Sequence, residues 1–482
     1  MGWQDRLYNR CLIGADWVAA DNGGTIAVTN PADGAEIGTV PRAGRAETAR
    51  AVAAAHAAFP AFKAMTADAR AQLMFKLADK MMAEQAALAE LLTREQGKPL
   101  AEAMGEIAIG ARYIRWFAEE ARRVYGDVIP TNVPSRRILV TKEPVGVVGA
   151  ITPWNFPSSM IARKMGAAMA AGCTMVCKPA SQTPYSTLVF GALMLDVGFA
   201  PGVLNVVTGT ASEIGAELTE NPAVRKITFT GSTEVGKKLA AAAMPGMKRV
   251  SMELGGNAPF IVFDDANLDL AVDGAIASKL RNAGQTCVCA NRIYVQADVY
   301  DAFAAKFAAK VEAMKIGPGT EEGVTIGPLI DANAVTKVQE HIDDAVKHGA
   351  TVLTGNKPHP LGGSFMYPTV VTGVTQAMAV AREETFGPLA PLFKFETEAE
   401  VVANANNTEY GLACYFYTAD LARAFRVAEA LEYGQVGVNE GVITTEVAPF
   451  GGVKDSGFGR EGSKYGVEDY LNIKYMAIGG LG

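Results

Sequence analysis

Val145-Gly-Val-Val-Gly-Ala-Ile151 contains no polar side chain, and the way it folds sets the architecture of everything around it. As a strand, such a run has both faces covered, which is the environment of a strand inside a parallel sheet. The residues that follow repeat the motif. They predict a helix near 158–171, a strand at Thr174-Met-Val-Cys-Lys178, a helix near 184–197, and strands at Val203-Leu-Asn-Val-Val207 and Lys226-Ile-Thr-Phe-Thr230. Helices at about 211–219 and 233–243 lie between and after the last two. Apolar strands alternating with helices indicate a parallel sheet with helices on both faces, whose ligands sit outside the carboxyl ends of the strands.

A second α/β unit follows Glu253-Leu-Gly-Gly256. Pro259-Phe-Ile-Val-Phe263 reads as a strand, and Leu268, Val272, Ala275, Ile276 and Leu280 recur at helical spacing. Further helices are expected near 300–314 and 331–348, and strands at 369–374, 390–396 and 435–439. Upstream, 25–40 reads as short strands with turns at Asn30-Pro31 and Asp33-Gly34, and 46–122 as alanine-rich helix, broken where Gly97 precedes Pro99. Asp127 to Glu143, with Pro130, Pro134 and the run Arg137-Ile-Leu-Val-Thr141, predicts a projecting strand pair whose free edge a partner covers. The glycine-dense tail from Pro449 to Gly466 ends in the strand-like Tyr470-Leu-Asn-Ile-Lys-Tyr475. The expected fold class is α/β, with two doubly wound parallel-sheet domains and a small β oligomerisation arm. Residues 1–126 and 148–254 would form a dinucleotide-binding domain and 255–447 a catalytic domain, leaving 127–147 and 448–482 for the arm and C-terminal segment.

The 482 residues carry a net charge of −7 and no basic block, which argues against a nucleic-acid partner. No run approaches the ~18 apolar residues that a membrane helix needs. Met1-Gly-Trp-Gln-Asp-Arg6 has no apolar signal core, so the expectation is a cytoplasmic protein or the mature form of an organelle protein. Six cysteines in a chain of this length do not make a disulfide scaffold.

Two segments bear on chemistry. In Arg281-Asn-Ala-Gly-Gln-Thr-Cys287-Val-Cys289 a thiol sits in a polar loop just past a helix, a setting for a nucleophile as well as for a buried small residue. Gly231-Ser-Thr-Glu-Val-Gly236, between a strand and a helix, suits a phosphate at the helix N-terminus or simply a tight turn. Neither G-x-G-x-x-G nor the phosphate loop ending in Gly-Lys-Ser/Thr is present. Cys173 and Cys177 are four apart, Cys287 and Cys289 two apart, and the histidines at 56, 341, 348 and 359 cluster with none of them. No metal site is expected.

Seven motifs in order then carry a resemblance. They are Thr152-Pro-Trp-Asn-Phe-Pro157, Lys178-Pro-Ala-Ser-Gln-Thr-Pro184, Phe229-Thr-Gly-Ser232, Met252-Glu-Leu-Gly-Gly-Asn257, Gly284-Gln-Thr-Cys287, Glu383-Glu-Thr-Phe-Gly-Pro388 and Pro449-Phe-Gly-Gly-Val-Lys454. From about Trp17 to the end the chain resembles the aldehyde dehydrogenase superfamily. Through 281–289 and Val438-Asn-Glu-Gly441 it is most similar there to the NADP-using succinate-semialdehyde dehydrogenases.

The resemblance implies Cys287 as the nucleophile that forms a thiohemiacetal, its N–H and the Asn155 amide as oxyanion donors, and Glu253 as the base that hydrolyses the resulting thioester. It implies cofactor contacts from Trp154, Asn155, Lys178, Gly231, Ser232, Leu254, Glu384 and Phe386. Ser181 stands where NAD-preferring relatives often carry Glu, so NADP is expected to be used better than NAD. Arg163 and Arg281 match two arginines that grip a distal carboxylate, a task suited to a bidentate and permanently charged group. Each could instead cap a helix or pair with a local acid. Thr445 stands where the family has a serine as a third contact; its extra methyl leaves succinate and glutarate semialdehyde both open. Cys289 is either a packed neighbour or a redox partner that closes a strained disulfide with Cys287. A homodimer or homotetramer is implied.

Overall fold

The structure is a computed structural model that describes residues 2–481; Met1 and Gly482, which the expected domain bounds include, lie outside them. The chain opens with a hairpin of β1 (Cys11–Ile13) and β2 (Asp16–Val18) and a second of β3 (Thr25–Thr29) and β4 (Glu36–Pro41). Helices α1 (Arg45–Ala64), α2 (Ala67–Ala83), α3 (Gln85–Gln96) and α4 (Leu100–Ala121) follow. Gly97 ends α3 in the left-handed region, as the Gly-Pro signal predicts. Then β5 (Asp127–Ile129) and β6 (Arg137–Pro144) pair antiparallel.

The apolar run forms β7 (Val147–Ile151), followed by α5 (Pro157–Ala171), β8 (Thr174–Lys178), α6 (Tyr185–Asp196), β9 (Leu204–Val206), α7 (Ala211–Glu220), β10 (Val224–Thr230), α8 (Thr233–Ala243) and β11 (Arg249–Glu253). Pairing gives the order β2-β1-β9-β8-β7-β10-β11, parallel from β9 to β11. The order reverses between β7 and β10, which opens a crevice at their carboxyl ends.

The second unit runs β12 (Ala258–Val262), α9 (Leu268–Leu280), β13 (Ala290–Gln296), α10 (Tyr300–Glu312), α11 (Ala332–Lys347), β14 (Thr351–Thr354), β15 (Thr369–Val374), β16 (Leu389–Phe395), α12 (Glu398–Asn406), β17 (Ala413–Tyr417), α13 (Leu421–Ala430) and β18 (Gln435–Val438). Its sheet has the order β14-β15-β16-β13-β12-β17-β18, parallel except for β14. One apolar core serves this sheet, while the first sheet has cores on its two faces.

The tail divides between two sheets. β19 (Gly457–Phe458) adds an antiparallel edge to β11, so the segment expected to belong with the arm also completes the first sheet. After α14 (Tyr465–Glu468), β20 (Leu471–Ile478) pairs along the whole of β6 and makes a three-stranded arm. Among the described residues no helix is long and apolar enough to cross a membrane.

Candidate active site

The carboxyl ends of β7, β10 and β11 face segments that lead into β12, β13 and β16 of the second sheet. The site therefore lies where the carboxyl edge of one sheet meets the amino edge of the other. The carboxyl-end rule places half of it; the cysteine loop enters from the opposite side.

That loop is strained. Asn282, Ala283 and Gly284 take φ values of 53°, 55° and 75° in succession. Asn and Gly tolerate the left-handed region, whereas Ala there costs about 1–2 kcal/mol. Side chains hold the shape. Glu102 Oε2 accepts the Asn282 N–H at 2.9 Å, and Asn282 Nδ2 donates to the Asn155 and Gln285 carbonyls at 3.1 and 3.2 Å. A Cβ on Gly284 would strike the Gly387 carbonyl, so the close approach there requires glycine. Cys287 ends up half-buried, while the other five cysteines are buried.

Two cavities meet at Cys287. One, of about 270 Å³, is lined by Arg163, Arg281, Phe156, Phe450 and a stripe of α4 that includes Glu102, Glu106 and Tyr113. The other, of about 220 Å³, is lined by Trp154, Asn155, Gly231, Ser232, Leu254, Glu384 and Phe386. Trp154 and Phe386 meet edge to face, with centroids 5.5 Å apart.

In the first cavity both arginines are short of partners. Arg163 lies inside α5 and so caps nothing; its Nε and Nη1 are buried without a hydrogen bond, and Nη1 stands 3.6 Å from Glu461. The guanidinium is sandwiched by Phe450 and Tyr113, at 4.4 and 5.3 Å from their ring centroids. Arg281 lies 5.4 Å from the Phe156 ring centroid, and no acid is paired with it among the described residues. Thr445 does not line this cavity. Its carbonyl accepts from Tyr113 at 3.2 Å, its hydroxyl turns toward Glu446, and the neighbouring Thr444 forms the wall. The loop has no strand or helix to fix which side chain faces inward, and it is Thr444 that lines the cavity in place of the expected Thr445.

Asn155 precedes α5 and is fixed from three sides. Lys98, fully buried, donates from Nζ to the Asn155 carbonyl at 2.8 Å and to Glu106 at 2.5 Å. Glu106 in turn accepts the Ser158 and Ser159 N–H groups at 2.9 and 3.1 Å, capping α5 where Phe156 has no side chain able to do so. The Asn155 amide donates one hydrogen to Gln285 at 3.0 Å; its Oδ1 has no partner. Glu253 ends β11 with both carboxylate oxygens buried and unpartnered.

Burial dominates the electrostatics. It pushes the Cys287 thiol up to about 12, an effect that Arg163 opposes and Glu384 and Glu253 reinforce. Glu253 is raised well above the usual carboxylate range by burial and then by Glu461, with Lys164 and Arg163 pulling the other way. Burial brings Glu384 up to about 7 even though its Oε1 accepts the Gly256 N–H at 3.1 Å. Lys178, the last residue of β8, and Ser181, just past it, lie beyond the lining of the second cavity. Lys178 donates to the Pro179 carbonyl at 2.9 Å, and burial lowers it to about 8. Cys289 is buried; its thiol donates to the Gly284 carbonyl at 3.2 Å and faces Lys279 Nζ at 3.9 Å.

Sequence reasoning missed Lys98, Glu102, Glu106 and Tyr113. A signal existed: Glu102, Glu106, Ile109 and Tyr113 recur at three- and four-residue spacing, so the acids share the inward face of α4.

The only thiol here that is not fully buried is thus shared by an arginine-lined cavity and an apolar-walled crevice at a sheet switch point. That arrangement is the one an α/β enzyme would need to work on a small substrate through a cysteine, with a cofactor on the thiol's other side. The chain belongs to the aldehyde dehydrogenase family, whose model matches residues 17–476. It is 62% identical to a glutarate-semialdehyde dehydrogenase of Pseudomonas aeruginosa, over 98% of each chain. It is 59% identical to the succinate-semialdehyde dehydrogenase [NADP(+)] GabD of Escherichia coli, again over 98% of each. The solved structure of a succinate-semialdehyde dehydrogenase from Burkholderia pseudomallei is similar with a TM-score of 0.98 at 57% identity, covering 98% of both chains.

Proposed function

We propose that the enzyme oxidises succinate semialdehyde to succinate, takes its one-methylene-longer homologue glutarate semialdehyde as well, and uses NADP better than NAD. The observation that carries the reading is the pair of arginines beside Cys287: among the described residues Arg281 has no paired acid, and Arg163 keeps Nε and Nη1 without a hydrogen bond, its nearest acid, Glu461, standing 3.6 Å away and shared with Lys164. A buried guanidinium lacking partners is costly and is relieved by a carboxylate that binds it bidentately. The relatives named for succinate and glutarate semialdehydes support the substrate class.

Cys287 attacks the aldehyde carbon as thiolate, and the oxygen gathers negative charge. Among the described residues no protein acceptor takes the Cys287 N–H, so with the second Asn155 amide hydrogen it supplies two donors for that oxygen. Glu253, free at both oxygens, takes the thiol proton, gives it up to solvent, and then takes the proton of the water that cleaves the thioester. Its raised pKa makes it a stronger base than an exposed carboxylate. Arg163 and Arg281 hold the substrate's far end throughout.

The second cavity fits a nicotinamide dinucleotide. The first turn of α8 offers N–H groups that the Ser232 side chain does not cap, the walls are apolar at Trp154, Leu254 and Phe386, and the buried Glu384 suits ribose hydroxyls. A bound dinucleotide supplies the hydride acceptor. Lys178 and the neutral Ser181 would hold its adenosine end, where Ser181 would leave room for a 2′-phosphate. The NADP(+) in the name of the Escherichia coli relative agrees with that preference.

The arm carries exposed Val128, Ile473 and Tyr475, apolar groups that a second copy would cover in a homodimer or homotetramer. The test of function is a panel of straight-chain aldehydes with and without a terminal carboxylate, run with each cofactor. Equal kcat/KM for butanal and succinate semialdehyde, or much higher kcat/KM with NAD, would overturn the respective part.

A further inference from the structure

Glu384 is the only carboxylate among the described residues lining the cofactor-side cavity, and what aims it lies outside that cavity. Two side chains grip its neighbours. Asn291, on β13, holds the backbone: Nδ2 donates to the Glu383 carbonyl at 2.9 Å, and Oδ1 accepts the Thr385 N–H at 3.2 Å. Asn291 is itself fixed by a 2.7 Å bond to Asn257 Oδ1. His341, on α11 and buried, holds the side chains: Nδ1 lies 3.0 Å from Thr385 Oγ1 and Nε2 3.3 Å from Glu383 Oε2. A carboxylate only accepts, so Nε2 carries the hydrogen and Nδ1 takes the Thr385 hydroxyl's; both ring nitrogens are used by residues that flank Glu384. Glu384 is thus carried between two residues that are each held from outside the cavity, Glu383 at its carbonyl and carboxylate and Thr385 at its N–H and hydroxyl. Phe386 follows at a φ of 54°, a left-handed turn that returns its ring to the same cavity.

We propose that His341 is a positioning residue for cofactor binding, clamping Glu383 and Thr385 together so that Glu384 and Phe386 face the nicotinamide end of the crevice. The proposal rests on Glu384 contacting the ribose of that end. It is tested on the purified full-length enzyme, free of cofactor, by fluorescence titration with NADPH. In parallel, 2′-phosphoadenosine 5′-phosphate, which has no nicotinamide ribose, is titrated by calorimetry.

His341→Leu removes both bonds and should raise the NADPH dissociation constant about tenfold. Binding of the adenosine probe should stay unchanged. His341→Gln keeps one donor and one acceptor and should stay within about threefold of the parent. Thr385→Val removes one bond without touching α11 and should give an intermediate loss, which covers the case of a misfolded His341→Leu. Glu384→Ala sets the ceiling. If Glu384→Ala weakens NADPH and neither His341→Leu nor Thr385→Val does, the clamp is refuted. If Glu384→Ala changes nothing, the role of Glu384 falls first. Equal weakening of both ligands would reduce His341 to general scaffolding and also overturn the proposal.

Discussion

Changing Arg163 and Arg281 to Gln one at a time separates two effects that share one cavity wall. Both guanidiniums line the cavity proposed for the substrate's carboxylate, but only Arg163 also lowers the Cys287 thiol and the Glu253 carboxyl. Losing one charge-assisted hydrogen-bonded contact costs about 2–3 kcal/mol, or about 30- to 150-fold in the ratio of kcat/KM for succinate semialdehyde to that for butanal. Arg281→Gln should show that ratio change alone, with butanal nearly unaffected. Arg163→Gln should show the same ratio change plus a loss on butanal, because the thiol is left harder to ionise. The assay is initial-rate formation of reduced cofactor, followed by its near-ultraviolet absorbance, with both aldehydes at one pH. Equal losses on the two aldehydes in both variants would refute the carboxylate assignment. A butanal loss in Arg281→Gln but not in Arg163→Gln would refute the electrostatic one.

Glu253→Gln should lower kcat by about 10²–10⁴-fold. If Glu253 serves mainly the hydrolytic step, a single burst of reduced cofactor survives in rapid mixing; loss of the burst would place its main role at thiol activation. Because burial lifts the Cys287 thiol to about 12, its alkylation by iodoacetamide in the cofactor-free enzyme should rise about tenfold per unit between roughly pH 7 and 10, with no plateau. A plateau near an ordinary thiol value would mean that the buried setting is not felt. Cys289→Ala should keep turnover and lose any dithiothreitol-reversible inactivation by peroxide; inactivation that persists unchanged would exclude Cys289 as the redox partner.

The parallel strands β7 to β10 were legible because they are buried almost throughout and their apolar residues outnumber or bracket the few polar ones, with β7 carrying no polar side chain at all. β13 was not, although it is central. Ala290-Asn-Arg-Ile-Tyr-Val-Gln296 carries Asn291 and Arg292, which read as surface residues in the sequence. Arg292 is fully buried because carbonyls of Asn257, Asn404 and Ala405 and the Tyr433 hydroxyl receive it, partners up to 141 residues away. No local pattern encodes such partners. β11 and β17 were missed as well, the first because Arg249 and Ser251 interrupt its apolar rhythm. In the site, motifs placed the residues that stand next to glycine or proline punctuation. The supports Lys98, Glu106, Asn282 and His341 meet the site only after the chain has folded. Thr444 lines the cavity beside the expected Thr445, a distinction a loop sequence does not carry, since neither period two nor period 3.6 applies to it.

Helix α5 starts two residues after Asn155 and carries Arg163 within its second turn. At 1.5 Å per residue, Pro157 and Arg163 stand about 9 Å apart along its axis. A group that would receive the substrate's carboxylate is thus mounted on a stiff rod, and the one that would receive its oxygen sits on the two-residue lead into that rod. This works as a fixed gauge for chain length, which relative motion of the two sheets cannot lengthen. Arg281 belongs to the other sheet's side of the cleft and is free of that rod. Evolving the enzyme toward longer substrates would accordingly begin with the Arg281 loop and leave α5 alone.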